Sequence, residues 1–176
     1  MTPLHPTKSQ SSETRRPQEI KVRCRDIVGR RRFIRVVLLQ GSTIALIVPP
    51  GEVAVLNSDD VLHLRGALRQ AVFVACDALD GGDYSHAATD LSFLSCTIPC
   101  EDAVGRQRTI TVTATSGEPI MLIAPAGGVC VLQPLQTGSL RGALRDMRLV
   151  VLGGQAASLD VVQPESARRE PERVVA

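Results

Sequence analysis

Seven basic residues in one short segment are the side chains best suited to binding chemistry: Lys21, Arg23, Arg25, Arg30, Arg31, Arg32 and Arg35. Residues 1–35 hold ten basic and three acidic residues, a net charge of +7, whereas the whole 176-residue chain carries +2. Clustered guanidinium groups suit contacts to phosphate, and the neighbouring Phe33 can stack on a base. We therefore predict a surface for single- or double-stranded nucleic acid. A solvated strand face is the alternative interpretation.

Residues for catalysis or metal binding form no recognisable pattern. The chain has no GxSxG, P-loop, HExxH or dinucleotide-binding glycine motif. Asp26 and Asp102 each lie beside a turn glycine, which favours turn capping over acid catalysis. Four possible zinc ligands have irregular spacing and are better explained as separate residues: Cys76, His86, Cys96 and Cys100. We predict a protein that is not an enzyme and uses no metal or cofactor. An active site between the repeats is the less favoured alternative.

The chain contains an internal repeat at an offset of 76 residues. Residues 24–75 align without a gap to residues 100–151, with 24 identities in 52 positions. The patterns PxGxVxVL and LRGALR occur in both copies at the same spacing. This duplication predicts pseudo-two-fold symmetry within one chain, the symmetry of the commonest dimer. We expect a monomer with an internal pseudo-dimer, or a homodimer.

Each copy has the pattern of four strands followed by a helix. In the first copy, apolar and polar residues alternate around Val22 and again around Ile34, as in half-buried strands. Glycine turns follow, then two short apolar strands, and Asn57 is a candidate helix N-cap. We predict an α+β fold of two tandem pseudo-symmetric ββββα repeats, in which each antiparallel sheet carries one C-terminal helix.

The predicted boundaries follow from shifts in composition. Repeat 1 covers residues 19–78 and repeat 2 covers residues 92–152, with a polar linker at residues 79–91. Residues 1–18 and 153–176 lack hydrophobic periodicity, so we predict a disordered arm and a disordered tail.

Two helix glycines, Gly66 and Gly142, occur at the same place in the two copies. A glycine inside a helix costs roughly 1 kcal/mol relative to alanine, so we predict close packing between the repeats there. Inheritance of one ancestral glycine by both copies is the alternative interpretation. The leucines on the same helices are predicted to join this contact: Leu64, Leu68, Leu140 and Leu144. The arginines of the same motif are predicted to be exposed and solvated: Arg65, Arg69, Arg141 and Arg145.

The segment KVRCRDIVGRRRFIRV, followed by VAVLNSDDVLHLRGALRQ, resembles the Whirly-type single-stranded-DNA-binding unit of transcriptional coactivators. That resemblance implies a ββββα unit paired with a second copy and a role in nucleic-acid binding or transcription. This chain departs from the expected aromatic content, since Phe33 is the only aromatic residue on the face and Thr109 replaces it in the second copy. The segments PPGEVAVL and LRGALR also look like parts of uncharacterised proteins from high-GC Gram-positive bacteria.

Compartment and partners follow from what the chain lacks. No stretch approaches the roughly 18 apolar residues of a membrane span, and no apolar signal-peptide core precedes the first strand. We therefore expect a cytoplasmic protein without membrane contact, and the excess of 18 Arg over 2 Lys suggests a bacterial source. A protein-interaction or adaptor role is the alternative function, through an outward face of Phe33, Val37 and Leu39.

Overall fold

The computed structural model describes residues 19–40, 42–76 and 92–159, with residues 154–159 described by their backbone alone. The predicted arm 1–18, the turn at Gly41 and the linker 79–91 lie outside the described residues. Most of the predicted tail also lies outside them, although the last helix continues to Leu159, beyond the predicted repeat boundary at residue 152.

Eight antiparallel strands form one closed barrel in sequence order. The strands of the first half are β1 (Glu19–Asp26), β2 (Arg31–Leu38), β3 (Ile44–Val48) and β4 (Glu52–Leu56). Those of the second half are β5 (Phe93–Glu101), β6 (Gln107–Thr115), β7 (Ile120–Ile123) and β8 (Val129–Leu132). The predicted fold of two ββββα repeats with separate sheets is therefore wrong. Strand β4 pairs with β5, and β8 pairs with β1, so the strands of both halves belong to one sheet.

The two hairpins β1–β2 and β5–β6 have the longest strand pairing in the barrel. Along β1 and β2, the side chains of Val22, Cys24, Ile34 and Val36 are buried, while the residues between them are exposed. This alternation places the apolar side chains inside the barrel and the basic side chains outside. The closing seams are much shorter, with Val55 opposite Glu101 at one of them.

Two helices follow the two sets of strands: α1 (Ser58–Cys76) and α2 (Pro134–Leu159). Asn57 caps α1, because its Oδ1 accepts hydrogen bonds from the backbone N–H groups of Asp59 at 2.8 Å and Asp60 at 2.9 Å. Pro134 occupies the first position of α2, where the missing N–H costs nothing. Of the two helices in the described residues, neither is long and apolar enough to cross a membrane.

Each helix packs on the strands of the opposite half. Helix α1 contacts β5 and β6, α2 contacts β1 and β2, and the helices contact each other. The buried apolar residues of both halves form one cluster. It includes the four fully buried leucines from the predicted helix contact, Leu64, Leu68, Leu140 and Leu144. One helix therefore does not cover its own sheet, because each half supplies the cover for the other.

The helix glycines do not mark a close approach within the chain. A Cβ added at Gly66 or at Gly142 would meet no atom of the described residues within 4 Å, apart from its own turn of helix. The surface beside both glycines is open, and the packing between the halves depends on the leucines and on the crossed helices.

A different glycine, Gly128, is enclosed. Its N–H donates to Glu52 Oε1 at 2.9 Å, and the N–H of Ala126 donates to Glu52 Oε2 at 3.0 Å. The carboxylate of one half thus holds the β7–β8 turn of the other half. A Cβ at Gly128 would lie 2.9 Å from the Glu52 carboxyl group and 3.0 Å from the Pro49 carbonyl oxygen.

We expect Gly128→Ala to destabilise the protein by about 1–3 kcal/mol, because the added methyl group forces this packed turn apart. The matched control is Gly66→Ala, which adds the same methyl group where space is open and should stabilise by up to about 1 kcal/mol. Urea unfolding followed by circular dichroism measures both changes. Equal stability of the two variants would show that the Glu52 contact is not tight.

Candidate functional site

A groove of about 910 Å³ lies beside the β1–β2 hairpin. We call it the first groove. One wall carries basic side chains and one aromatic ring: Lys21, Arg31, Arg32, Arg35 and Phe33. The lining also includes Ile47, which lies beside Arg35 on β3, together with Val48, the turn at residues 49–51 and residues 127–129 of the second half. The groove therefore joins a charged surface to an apolar one, and both halves contribute to it.

The outer face of β1–β2 is a ladder of basic side chains. Lys21 lies opposite Arg35, and Arg25 lies opposite Arg31. Arg23 lies opposite Phe33, whose side chain is 53% exposed. Like charges directly opposite one another destabilise a sheet. Repulsion within this ladder therefore lowers the stability of the free protein, and a bound anionic ligand would reduce that repulsion.

Acidic groups neutralise only part of this ladder. Glu19 lies 4.0 Å from both Lys21 Nζ and Arg35 Nη1, at the limit for an ion pair. Within the described part of the chain, Arg23 and Arg31 form no salt bridge. Residues 19–40 hold seven basic and two acidic residues, a net charge of +5.

Asp26 holds the turn at the end of the hairpin. Its Oδ1 accepts from the backbone N–H groups of Arg30 at 2.8 Å and Val28 at 3.2 Å, and its Oδ2 lies 3.3 Å from Arg32 Nε. Desolvation alone would raise the pKa of Asp26. The Arg30 N–H and the charges of Arg30 and Arg32 outweigh it and hold this pKa below its usual value. Asp26 therefore stays ionised and partly neutralises these two arginines.

The predicted binding residues thus fall into two groups. Five of them share the outward ladder: Lys21, Arg23, Arg25, Arg31 and Arg35. Arg30 and Arg32 instead pair with Asp26 at the turn, with Nε to Oδ2 distances of 3.7 and 3.3 Å. Of the residues predicted for a protein-binding face, Phe33 lines the first groove, while Val37 is half-buried and Leu39 lies beyond the end of β2.

The second half carries the equivalent surface without its net positive charge. A second groove of about 510 Å³ contains Asp102, Arg108 and the turn residues Pro125 and Ala126. These positions are equivalent to Asp26, Arg32, Pro49 and Pro50 at the 76-residue offset. Gln107 and Thr111 stand where the first half has Arg31 and Arg35. Residues 95–116 hold two basic and two acidic residues, so their net charge is zero.

Sequence reasoning missed the two turns that complete the lining of the first groove. The turn at residues 49–51 and residues 127–129 belong to the repeated pattern PxGxVxVL. That pattern shows that the two turns are equivalent, but not that the turns of both halves meet the basic hairpin. Only the closure of the barrel through β8 and β1 brings them there.

Among the described residues, the acidic and cysteine side chains form no metal-binding cluster. Across residues 19–40, 42–76 and 92–159, no group of three or more His, Cys, Asp or Glu side chains could hold a metal ion. His86 lies outside the described residues. The backbone N–H of Arg106 holds the pKa of Asp102 below its usual value, as happens at Asp26. Burial raises the pKa of the Cys100 thiol to about 11, so this thiol is neutral and unreactive at pH 7.

Comparisons with protein-family models, with curated proteins and with solved structures found no match to this chain.

Proposed function

We propose that the protein binds single-stranded nucleic acid along the outer face of β1–β2 and in the first groove. The observation that carries this proposal is the meeting of five outward basic side chains with one exposed aromatic ring at the mouth of a groove. The resemblance of the hairpin to Whirly-type units favours the same class of ligand.

The phosphates of the strand would follow the basic ladder. Outward side chains along a β-strand repeat about every 7 Å, so Lys21, Arg23 and Arg25 present evenly spaced positive charges. Arg35 and Arg31 run beside them on β2 and can contact the same backbone. Contacts of this kind fix the register of a nucleic acid without reading its sequence.

One base would enter the first groove and stack on Phe33. Stacking on an aromatic side chain contributes roughly 1–3 kcal/mol per base, and the half-buried Ile47, beside Arg35 on the neighbouring strand, adds apolar surface to the groove. A duplex keeps its bases stacked on one another and cannot use this ring without local opening. The groove therefore favours a single strand, with a weak dependence on sequence.

Fluorescence anisotropy with a labelled single-stranded oligonucleotide, titrated between 50 and 200 mM salt, tests the proposal. If all five ladder residues contact phosphate, the plot of log K against log salt has a slope of about −3.5, since each contact to a single strand contributes about −0.7. A duplex of the same sequence should bind more weakly. Absence of binding at 50 mM salt would overturn the proposal.

The variant Phe33→Leu separates stacking from charge. We expect it to weaken single-strand binding by about 5- to 100-fold, which corresponds to the loss of one stacked base, and to leave the salt slope unchanged. The control is Thr109→Leu, the equivalent position in the second half. An unchanged affinity in Phe33→Leu would show that the aromatic ring does not contribute to binding.

A further inference from the structure

The two helices bring a pair of equivalent arginines together. Arg148 Nε on α2 donates to the Ser58 carbonyl at 3.1 Å and to Ser58 Oγ at 2.9 Å at the start of α1. Arg65 lies seven residues after Ser58 on α1, and Arg141 lies seven residues before Arg148 on α2. The charge of Arg141 acts on Arg65, so the two helices run antiparallel and these two arginines lie near each other. Each occupies the same position of LRGALR. The prediction that these two side chains are solvated on the exposed side is wrong, since both are half-buried.

Both of these arginines lack a hydrogen-bond acceptor at a buried atom. The Nε atoms of Arg65 and Arg141 are buried and have no partner among the described residues. A buried donor without an acceptor is destabilising. The same arrangement occurs at both repeat-equivalent positions, which makes these two guanidinium groups the candidates for binding an acceptor from outside the chain.

Positive charge also accumulates around this pair. Desolvation, together with the charges of Arg141, Arg145 and Arg148, lowers the pKa of the Arg65 guanidinium. An opposing negative charge comes from Asp146, whose Oδ1 lies 3.0 Å from Arg145 Nη2. The side chains of the remaining arginines have no carboxylate partner in the described part of the structure.

The glycines of the motif leave this cluster accessible. Gly66 follows Arg65, Gly142 follows Arg141, and the space beside both glycines is open to at least 4 Å. An alanine-sized or larger residue at these positions would begin to fill that space. The cost of two helix glycines is explained if a ligand approaches the arginines over them.

We propose that Arg65 and Arg141, supported by Arg145 and Arg148, form a second binding site that takes a phosphate group. A phosphate oxygen accepts guanidinium hydrogen bonds readily, and a planar guanidinium can bind two oxygens at once. Two such groups from antiparallel helices would grip one tetrahedral oxyanion from opposite sides. A small rotation of each side chain brings its Nε–H to the ligand.

This site is separate from the first groove. Both helices begin where β4 and β8 end, whereas the groove contains the turns from which those two strands start. The cluster therefore lies away from the hairpin ladder. Phosphate binding at this cluster therefore does not require a nucleic acid in the first groove.

Thermal unfolding in inorganic phosphate, against chloride at the same ionic strength, tests this second site. At ten times the dissociation constant, we expect the wild-type Tm to rise by about 3–6 °C. The phosphate concentration is kept at or below about 10 mM, where general salting-out effects are small. Arg65→Met/Arg141→Met should lose the rise, whereas Arg69→Met should keep it. Arg69 is the matched control because it lies over the Phe73 ring, 5.7 Å from its centre.

The variants also separate the two proposals. Arg31→Ala/Arg35→Ala should keep the phosphate effect even if it loses oligonucleotide binding. If Arg65→Met/Arg141→Met does not fold, Arg65→Lys/Arg141→Lys keeps the charge, removes both Nε–H groups, and should lose at least half of the rise. Adenosine monophosphate is then compared with inorganic phosphate at the same concentration. A larger rise in Tm with adenosine monophosphate indicates a site for a phosphate ester, and a larger rise with inorganic phosphate indicates a site for the free ion. No rise in wild type, or an equal rise in the Met variant, overturns the site.

Discussion

Replacing Arg23, Arg31 and Arg35 with alanine is expected to weaken single-stranded oligonucleotide binding by about 100-fold or more at 50 mM salt. Each phosphate contact to a single strand contributes nearly one decade of affinity at this salt concentration through counterion release. The salt slope should also fall by about 2, to about −1.4, because three of the five ladder contacts are lost. Anisotropy titrations at several salt concentrations measure both quantities. The three side chains are exposed, so the fold should tolerate the change.

The second half of the chain supplies the control for this experiment. Arg106→Ala/Arg108→Ala removes two positive charges from the equivalent surface of the second half, whose net charge is zero. It should change the affinity by less than about threefold, as expected for distant exposed charges. The reciprocal variant, Gln107→Arg/Thr111→Arg, rebuilds two ladder positions there and should increase affinity in the background of the alanine variant. If both alanine variants lose affinity equally, binding follows net charge and not the ladder.

Local structure could be predicted well from the sequence. The alternation around Val22 and Ile34 placed the apolar side chains inside and the arginines outside, and the structure agrees. Asn57 was predicted to cap α1 and does so through two backbone N–H groups. These features depend on neighbours within a few residues, and the sequence pattern contains that information directly.

The tertiary arrangement could not be predicted in the same way. Closure of the barrel rests on seams such as Asp26 opposite Cys130 and Val55 opposite Glu101, which are too short to leave a periodic signal. An amphipathic helix shows that it has a buried face, but not which sheet it covers. For this reason the sequence predicts a solvated Arg65 side chain, whereas its Nε is buried in the packed structure.

Separating the two halves is expected to abolish folding of each as a monomer. A fragment of residues 19–78 keeps β1–β4 and α1 but loses α2, which packs on β1 and β2. It also loses β5 and β6, against which α1 packs. Each fully buried apolar side chain that becomes exposed costs roughly 1.5–3 kcal/mol. Several such losses exceed the 5–15 kcal/mol that stabilises a whole domain of ordinary size. The fragment 92–159 meets the same difficulty, because its strands and its helix depend on the first half.

Circular dichroism melts and sedimentation measure this outcome. Each fragment alone should show no cooperative unfolding as a monomer, and an equimolar mixture should regain a cooperative transition, because the crossed helices can then find their strands. The fragments share 24 of 52 aligned residues, so one of them could also recover a fold by pairing with its own copy in place of the other half. A folded, monomeric half would contradict the shared core. The duplication would then have joined two independent domains. The packing of each helix on the strands of the other half would have no role in stability.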